Sequence, residues 1–298
     1  MILFFLTSGL FLGWSLGAND ASNVFGTAVG SKMLSFRKAA IIASVAVIVG
    51  AVIQGAGASQ TLGKLGSVNA IGGSFTLSLA AAVTVYTMTK FSVPVSSTQA
   101  IVGAIIGWNF FTGNKTDSAT LIKIVSTWIT GPIIGAIFAI LLYLLVRWIK
   151  RTANIHLIRF ESFIRTGLII VGAFGAYSLG ANNIANVMGV FVPAFNLQEL
   201  DLGIFSLSSA QQLFLIGGLA IAVGIITYSK RVMETVGSNI IEISAEAALV
   251  VVLAHSLVLF IFSSTALSDL LLKAGLPRIP MVPVSSTQVI VGCIVGIG

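Results

Sequence analysis

Residues 39–58, AAIIASVAVIVGAVIQGAGA, carry no charged side chain. As a helix such a run is about 30 Å long, the thickness of the hydrocarbon core of a bilayer. Two further long apolar runs occupy 119–149 and 207–227. None alternates with a period of two, so they read as helices and not as barrel strands. Only 8% of the residues are charged, against about a quarter in soluble domains, too few to cover a water-facing surface. The chain is therefore read as an all-α integral membrane protein. Residues 1–16 lack a basic leader, and no cleavage pattern follows them, so they read as a helix of the mature chain. The single cysteine, Cys293, excludes an intramolecular disulfide and a cysteine-rich metal site. The net charge of +7 sits between the apolar runs, which speaks for topology and not for nucleic-acid binding.

Two polar sequences occur twice. VPVSSTQAIVG starts at Val93 and VPVSSTQVIVG at Val282, with ten of eleven residues identical. SLGANDASNVFG spans 15–26 and SLGANNIANVMG spans 178–189, and in each half the GAN sequence precedes VPVSSTQ. The chain is thus read as a duplicated unit: a first repeat over 1–150, a basic linker over 151–164 and a second repeat over 165–298. The extra length of the second copy falls at 263–280, read as an inserted amphipathic segment and loop. Basic residues gather around the linker (Arg147, Lys150, Arg151, Arg159, Arg165), in 31–38 and in 228–240, whereas 191–206 holds only Glu199 and Asp201. The positive-inside rule puts the first three in the cytoplasm and the amino terminus outside. The segments 74–91 and 95–111 must then begin and end on one side, either as two crossings or as a re-entrant hairpin tipped by VPVSSTQ. An odd number of crossings per half inverts the second repeat, a recurring plan in transporters with broken helices at mid-membrane.

In VPVSSTQ the proline favours a helix start, with Ser96 as N-cap and Gln99 in the capping-box position three residues on. Ser285 and Gln288 repeat that pattern. First-turn N–H groups lack intrahelical partners and carry partial positive charge. Two such starts facing one spot, with the hydroxyls of Ser97, Thr98, Ser286 and Thr287, suit a tetrahedral oxyanion. In GANDASN, Asn19 and Asn23 share a helix face, as do Asn182 and Asn186 in the second copy, where Asn183 replaces Asp20. Asp20 is the only carboxylate before Thr116, and an ionisable residue inside a membrane segment is a functional candidate. A carboxylate beside an anion site is repulsive unless a cation lies between them. The oxygen ligands on offer are hard and suit Na⁺. Glu246 is a second candidate cation ligand. Lys90 reads as snorkelling or reaching the anion. His255 reads as packed or hydrogen-bonded, with a Ser97–His255 hydrolase as the remote alternative.

GANDASNVFGTAVGSK (17–32), GANNIANVMG (180–189) and both VPVSSTQ stretches resemble the duplicated signature of the inorganic phosphate transporter (PiT) family. The resemblance implies a non-enzymatic symporter with two inverted-topology repeats, broken helices, two re-entrant hairpins, adjacent sodium sites and a homodimer in the plasma membrane. The resemblance also implies a closing helix, the partner of 119–149, which is not expected within 165–298, either because the sequence is incomplete or because the second repeat is truncated. Phosphate is then expected at Asn23, Ser96, Ser97, Thr98, Gln99, Asn186, Ser285, Ser286, Thr287 and Gln288. Sodium, the coupling ion, is expected at Asp20, Asn19, Asn182, Asn183 and Glu246, with no other cofactor. Coupling to protons through Asp20 or Glu246, and sulfate or another oxyanion as cargo, are the alternatives.

Overall fold

The computed structural model describes residues 2–66, 71–91, 93, 95–152, 157–201, 203, 206–239 and 244–298. The apolar runs form helices. In the first half these are α1 (Ile2–Asp20), α2 (Ser22–Gly30), α3 (Phe36–Gln54), α4 (Ala56–Leu65), α5 (Ile71–Lys90), α6 (Ser97–Thr112) and α7 (Ser118–Thr152). The second half has α8 (Leu157–Met188), α9 (Ser209–Asn239), α10 (Ala245–Ser263), α11 (Thr265–Lys273) and α12 (Ser286–Ile297). Six helices, α3, α5, α7, α8, α9 and α10, are long and apolar enough to cross a membrane. This is a multi-pass helical membrane protein. The outward side chains of α7, among them Ile129, Ile133, Ile137, Leu141 and Leu144, are exposed and apolar, as a lipid-facing surface requires. α6 and α12 have 16 and 12 residues. At about 24 and 18 Å they fall short of a ~30 Å hydrocarbon core.

Several elements differ from the sequence reading. Residues 228–239, expected as loop, continue α9, because Val232 and Met233 bury one face of an otherwise polar turn. Most of the basic linker is also helical, the end of α7 and the start of α8; 153–156, including His156, lie outside the described residues. The segment 191–206 carries a short antiparallel ribbon, Leu200–Asp201 with Ser206–Leu207. The insertion at 263–280 does form a short helix, α11, capped by Ser264, whose Oγ accepts from the Leu267 N–H. The two GAN sequences differ in their helices. A break occurs at Ala21, between α1 and α2, whereas α8 runs unbroken through Asn182 and Asn186. The physical difference is Ser22, whose hydroxyl donates to the Asn19 carbonyl at 2.7 Å and competes with the backbone ladder. The second copy has Ala185 there.

Glycines set how closely the halves approach. A Cβ on Gly17 would lie 2.0 Å from the Ile221 carbonyl oxygen, and one on Gly224 2.0 Å from that of Trp14, so α1 and α9 cross backbone to backbone. Gly180 meets the Val47 carbonyl at 2.1 Å and Gly50 that of Tyr177 at 2.0 Å in the same way, so α8 crosses α3. These are small-residue helix contacts, in which close approach replaces the hydrophobic effect that lipid does not supply. The same relation appears twice with the halves exchanged. Each GAN-bearing helix thus crosses a helix of the other half at close range.

Candidate functional site

Both VPVSSTQ stretches start a helix where expected. Ser96 Oγ accepts from the Gln99 N–H at 3.2 Å, and Ser285 Oγ from the Gln288 N–H at 3.3 Å. Only the serine half of the capping box forms, and Gln288 Oε1 is buried without a partner. Pro94 lies outside the described residues; Pro283 is buried in the extended approach to α12.

The asparagines of the GAN sequences hold these approaches in place. Asn19 Oδ1 accepts from the Val95 N–H at 3.2 Å and Asn182 Oδ1 from the Val284 N–H at 2.9 Å. Their Nδ2 groups donate to the carbonyls of Val93 (3.1 Å) and Val284 (2.8 Å). Each side amide thus serves as a partner for extended backbone that has no helix or sheet of its own, which a buried chain requires. Asn19 Nδ2 also donates to Thr89 Oγ1 at 3.0 Å, a partner on α5 that no sequence signal marked.

The two tips meet. Thr98 Oγ1 donates to the Val284 carbonyl at 3.3 Å, and Thr287 Oγ1 to the Val95 carbonyl at 3.0 Å. Asn186 Nδ2 donates to Thr98 Oγ1 at 2.9 Å, and Asn23 Nδ2 to Thr287 Oγ1 at 3.3 Å and to Ser286 Oγ at 3.0 Å. Each threonine hydroxyl therefore links its own helix start to the opposite half.

Asp20 lies at the centre, 1% exposed. Its Oδ2 accepts from Ser97 Oγ at 2.9 Å and from Asn183 Nδ2 at 2.8 Å, while Oδ1 has no partner. No ion pair found among the described residues reaches it. A buried carboxylate held by two donors but without a counter-charge is expensive. Asn186 Oδ1 is likewise buried and unpartnered. Each is an oxygen acceptor of the hard kind that suits an alkali cation. Among the described residues there is no group of three or more His, Cys, Asp or Glu for a transition metal. Asn182 joins in through Nδ2, which donates to Asn183 Oδ1 at 2.8 Å, so one unbroken run of hydrogen bonds leads from the α12 approach to Asp20 and on to α6.

Asn19, Asn23, Ser286 and Thr287 are thus brought into one hydrogen-bonded run, and Asp20, Asn182, Asn183, Asn186, Ser97 and Thr98 into a second. The caps Ser96 and Ser285, with Gln99 and Gln288, stand at the two helix starts. Glu246 is not brought there. It lies in the first turn of α10 and is ion-paired with Lys150 of α7, so its charge already has a partner away from Asp20. Lys90, at the end of α5, is exposed. His255 is the residue that sequence reasoning undervalued. It is fully buried, and Nε2 lies 2.8 Å from Ser286 Oγ, on the second tip and not beside Ser97. Its signal was that of Asp20, an ionisable group in an apolar run.

The Phosphate transporter family profile matches residues 16–298. The chain is 26% identical to a protein of Pyrococcus furiosus described as a "putative phosphate permease", over all of this chain and 87% of that one. It is 28% identical to a protein of Methanocaldococcus jannaschii of the same description, over 98% of this chain and 84% of that one. Its fold is similar to that of a solved structure described as the sodium-dependent phosphate transporter, with a TM-score of 0.77 at 22% identity, covering all of this chain and 89% of that one. With that fold, a profile match over nearly its whole length and no enzyme among these relatives, the chain belongs to the phosphate transporter family.

Proposed function

We propose that the chain is a symporter that imports inorganic phosphate together with sodium across the plasma membrane. The observation that carries this reading is Asp20: a buried carboxylate with one oxygen fixed by Ser97 and Asn183 and the other free, beside two helix starts. Phosphate sits between those starts. The first-turn N–H groups of α6 and α12 supply donors and partial positive charge. Thr98 and Thr287 hold the tips together around the anion, Ser96 and Ser285 fix the helix starts, and Asn23 and Asn186 orient the hydroxyls. Gln99 and Gln288 lie in the first turns. A buried acceptor such as Gln288 Oε1 suits a P–O–H group, which sulfate lacks, and leaving it unpaired disfavours sulfate.

Sodium is bound by Asp20 Oδ1 and Asn186 Oδ1, with Asn19, Asn182 and Asn183 shaping the site, and it offsets the repulsion between Asp20 and phosphate. Neither ligand then binds well without the other, which is the coupling a symporter needs. α6 and α12, too short to span, are the inner arms of re-entrant hairpins in two repeats of inverted topology, 1–150 and 165–298. The basic linker 151–164 is cytoplasmic, the amino terminus is outside, and the protein works as a homodimer. A second reading, proton coupling, draws on the same free Oδ1, where a proton can sit instead of sodium.

The test is uptake of labelled phosphate into proteoliposomes under an imposed sodium or proton gradient, with sulfate as competitor and Ser97→Ala and Ser286→Ala as controls. Sodium-driven, sulfate-insensitive uptake lost in both variants is expected. Uptake driven by protons alone moves the coupling to a protonated Asp20. Intact uptake in both variants overturns the assignment of the helix starts.

A further inference from the structure

The two tips are near-identical in sequence, yet their second serines are bonded in opposite senses. Ser97 Oγ donates its proton to Asp20 Oδ2. Ser286 Oγ faces no carboxylate. It accepts from Asn23 Nδ2 at 3.0 Å and lies 2.8 Å from His255 Nε2.

Two assignments satisfy the histidine contact. If Ser286 donated to Nε2, the imidazole proton would be on Nδ1, which is buried and has no partner. A buried N–H without an acceptor is among the rarest and most expensive polar defects in proteins. If Nε2–H donates to Ser286, Nδ1 is a bare lone pair, a smaller loss. The second assignment therefore holds. A serine oxygen has two lone pairs and one proton. Asn23 and His255 fill both lone pairs, so the Ser286 hydroxyl can only donate. Among the described residues that proton has no acceptor, and the hydroxyl stands in the first turn of α12, beside the N–H groups read above as the anion site.

We infer that His255 is a positioning residue for the anion: by donating Nε2–H to Ser286 it turns that hydroxyl into a fixed donor to phosphate. The inference rests on the proposed phosphate site. It divides the work of the duplicated tips. Ser97 turns its proton toward Asp20, whereas Ser286 turns its proton toward the anion. In the second tip the companion of Asp20 is the neutral Asn183, and the histidine supplies the polarity that the carboxylate supplies in the first.

The test compares His255→Leu, which removes the donor and keeps an apolar bulk, with His255→Gln, whose side-chain Nε2–H₂ restores it. Phosphate uptake and sodium dependence are measured in proteoliposomes. Phosphate-dependent thermal stabilisation is measured on the purified protein. His255→Leu is expected to raise the phosphate concentration for half-maximal uptake and half-maximal stabilisation roughly tenfold, the loss of one hydrogen bond. Half-saturating sodium, measured at saturating phosphate, is expected to stay put, and His255→Gln to lie within about threefold of wild type on the same scale. In a Ser286→Ala background, read by phosphate-dependent thermal stabilisation of the purified protein, His255→Leu is expected to add nothing. A merely structural histidine would move sodium and phosphate dependence together and would act fully in that background. If His255→Leu does not fold, His255→Asn, too short to reach Ser286, takes its place beside His255→Gln. Unchanged phosphate dependence, or a glutamine no better than leucine, overturns the inference. Wild-type protein that takes up no phosphate overturns it together with the site it rests on.

Discussion

Asp20→Asn removes one charge and almost no volume, which makes it the sharpest probe of the cation site. A sodium ion about 4 Å from the carboxylate, at an effective dielectric constant near 20, is held by about 4 kcal/mol. Asparagine keeps one oxygen ligand and so restores part of this, leaving a loss of about 2 to 3 kcal/mol, or roughly 30- to 150-fold in sodium affinity. With that oxygen turned to the sodium, Nδ2 faces the two former donors, so Ser97 must turn its hydroxyl and the bond from Asn183 is lost, about 1 kcal/mol each. Removing a buried, uncompensated charge offsets that loss, so the fold is expected to survive. The assay is labelled phosphate uptake at fixed phosphate while external sodium is titrated against choline, with the purified variant checked for a monodisperse profile. The half-saturating sodium concentration should rise by the stated factor, while phosphate dependence at the highest sodium shifts much less. A sodium titration that matches wild type would refute the assignment of Asp20, and an equal loss of both dependences would make it part of the anion site instead.

The packing and capping make further predictions. Gly17→Ala should lower the melting temperature by several degrees, since its Cβ would lie 2.0 Å from the Ile221 carbonyl oxygen and overpacking costs about 1 to 3 kcal/mol. Gly103→Ala, with nothing within 4 Å, should be neutral or stabilising by up to about 1 kcal/mol; a thermal-unfolding comparison that ranks the two the other way removes the close crossing as an explanation. Ser285→Ala, which deletes the cap of α12, should cost about 1 kcal/mol in the same assay and weaken phosphate protection. At the exposed start of α7, hydrogen bonds from Thr120, including its N–H to Oδ1 at 2.6 Å, hold the Asp117 carboxyl below its usual range. Its folded-state pKa is depressed, so its contribution is present above about pH 4 and lost as pH falls through the folded value. Asp117→Asn should therefore unfold at a lower temperature than wild type at pH 7, with the gap closing as pH falls through the folded value.

Much of this arrangement was legible because its signals are local or repeated. A serine before a helix, a carboxylate in an apolar run and the duplicated VPVSSTQ each declare themselves without a partner. What the sequence left open were relations between distant residues. Nothing near Thr98 says that its hydroxyl serves the Val284 carbonyl rather than an anion. Nothing near Glu246 says that Lys150, almost a hundred positions away, balances its charge. The break at Ala21 turns on a single hydroxyl, that of Ser22, which nothing in the repeated motif marks. The end of α9 was misread because its lysine, arginine and glutamate suggested a loop, whereas Val232 and Met233 gave that turn a buried face.

The threonine clasp has a consequence for leakage. A carrier that lets its ion through without its cargo dissipates the gradient it depends on, and the weak point is any spontaneous parting of the tips. Here Thr98 ties the first tip to the second and Thr287 ties the second to the first. Losing one bond leaves the other in place, so parting requires both at once. At about 1 kcal/mol each, simultaneous loss is rarer than single loss by a further factor of about five. A duplicated motif facing its own copy thus supplies a double lock from a single short sequence.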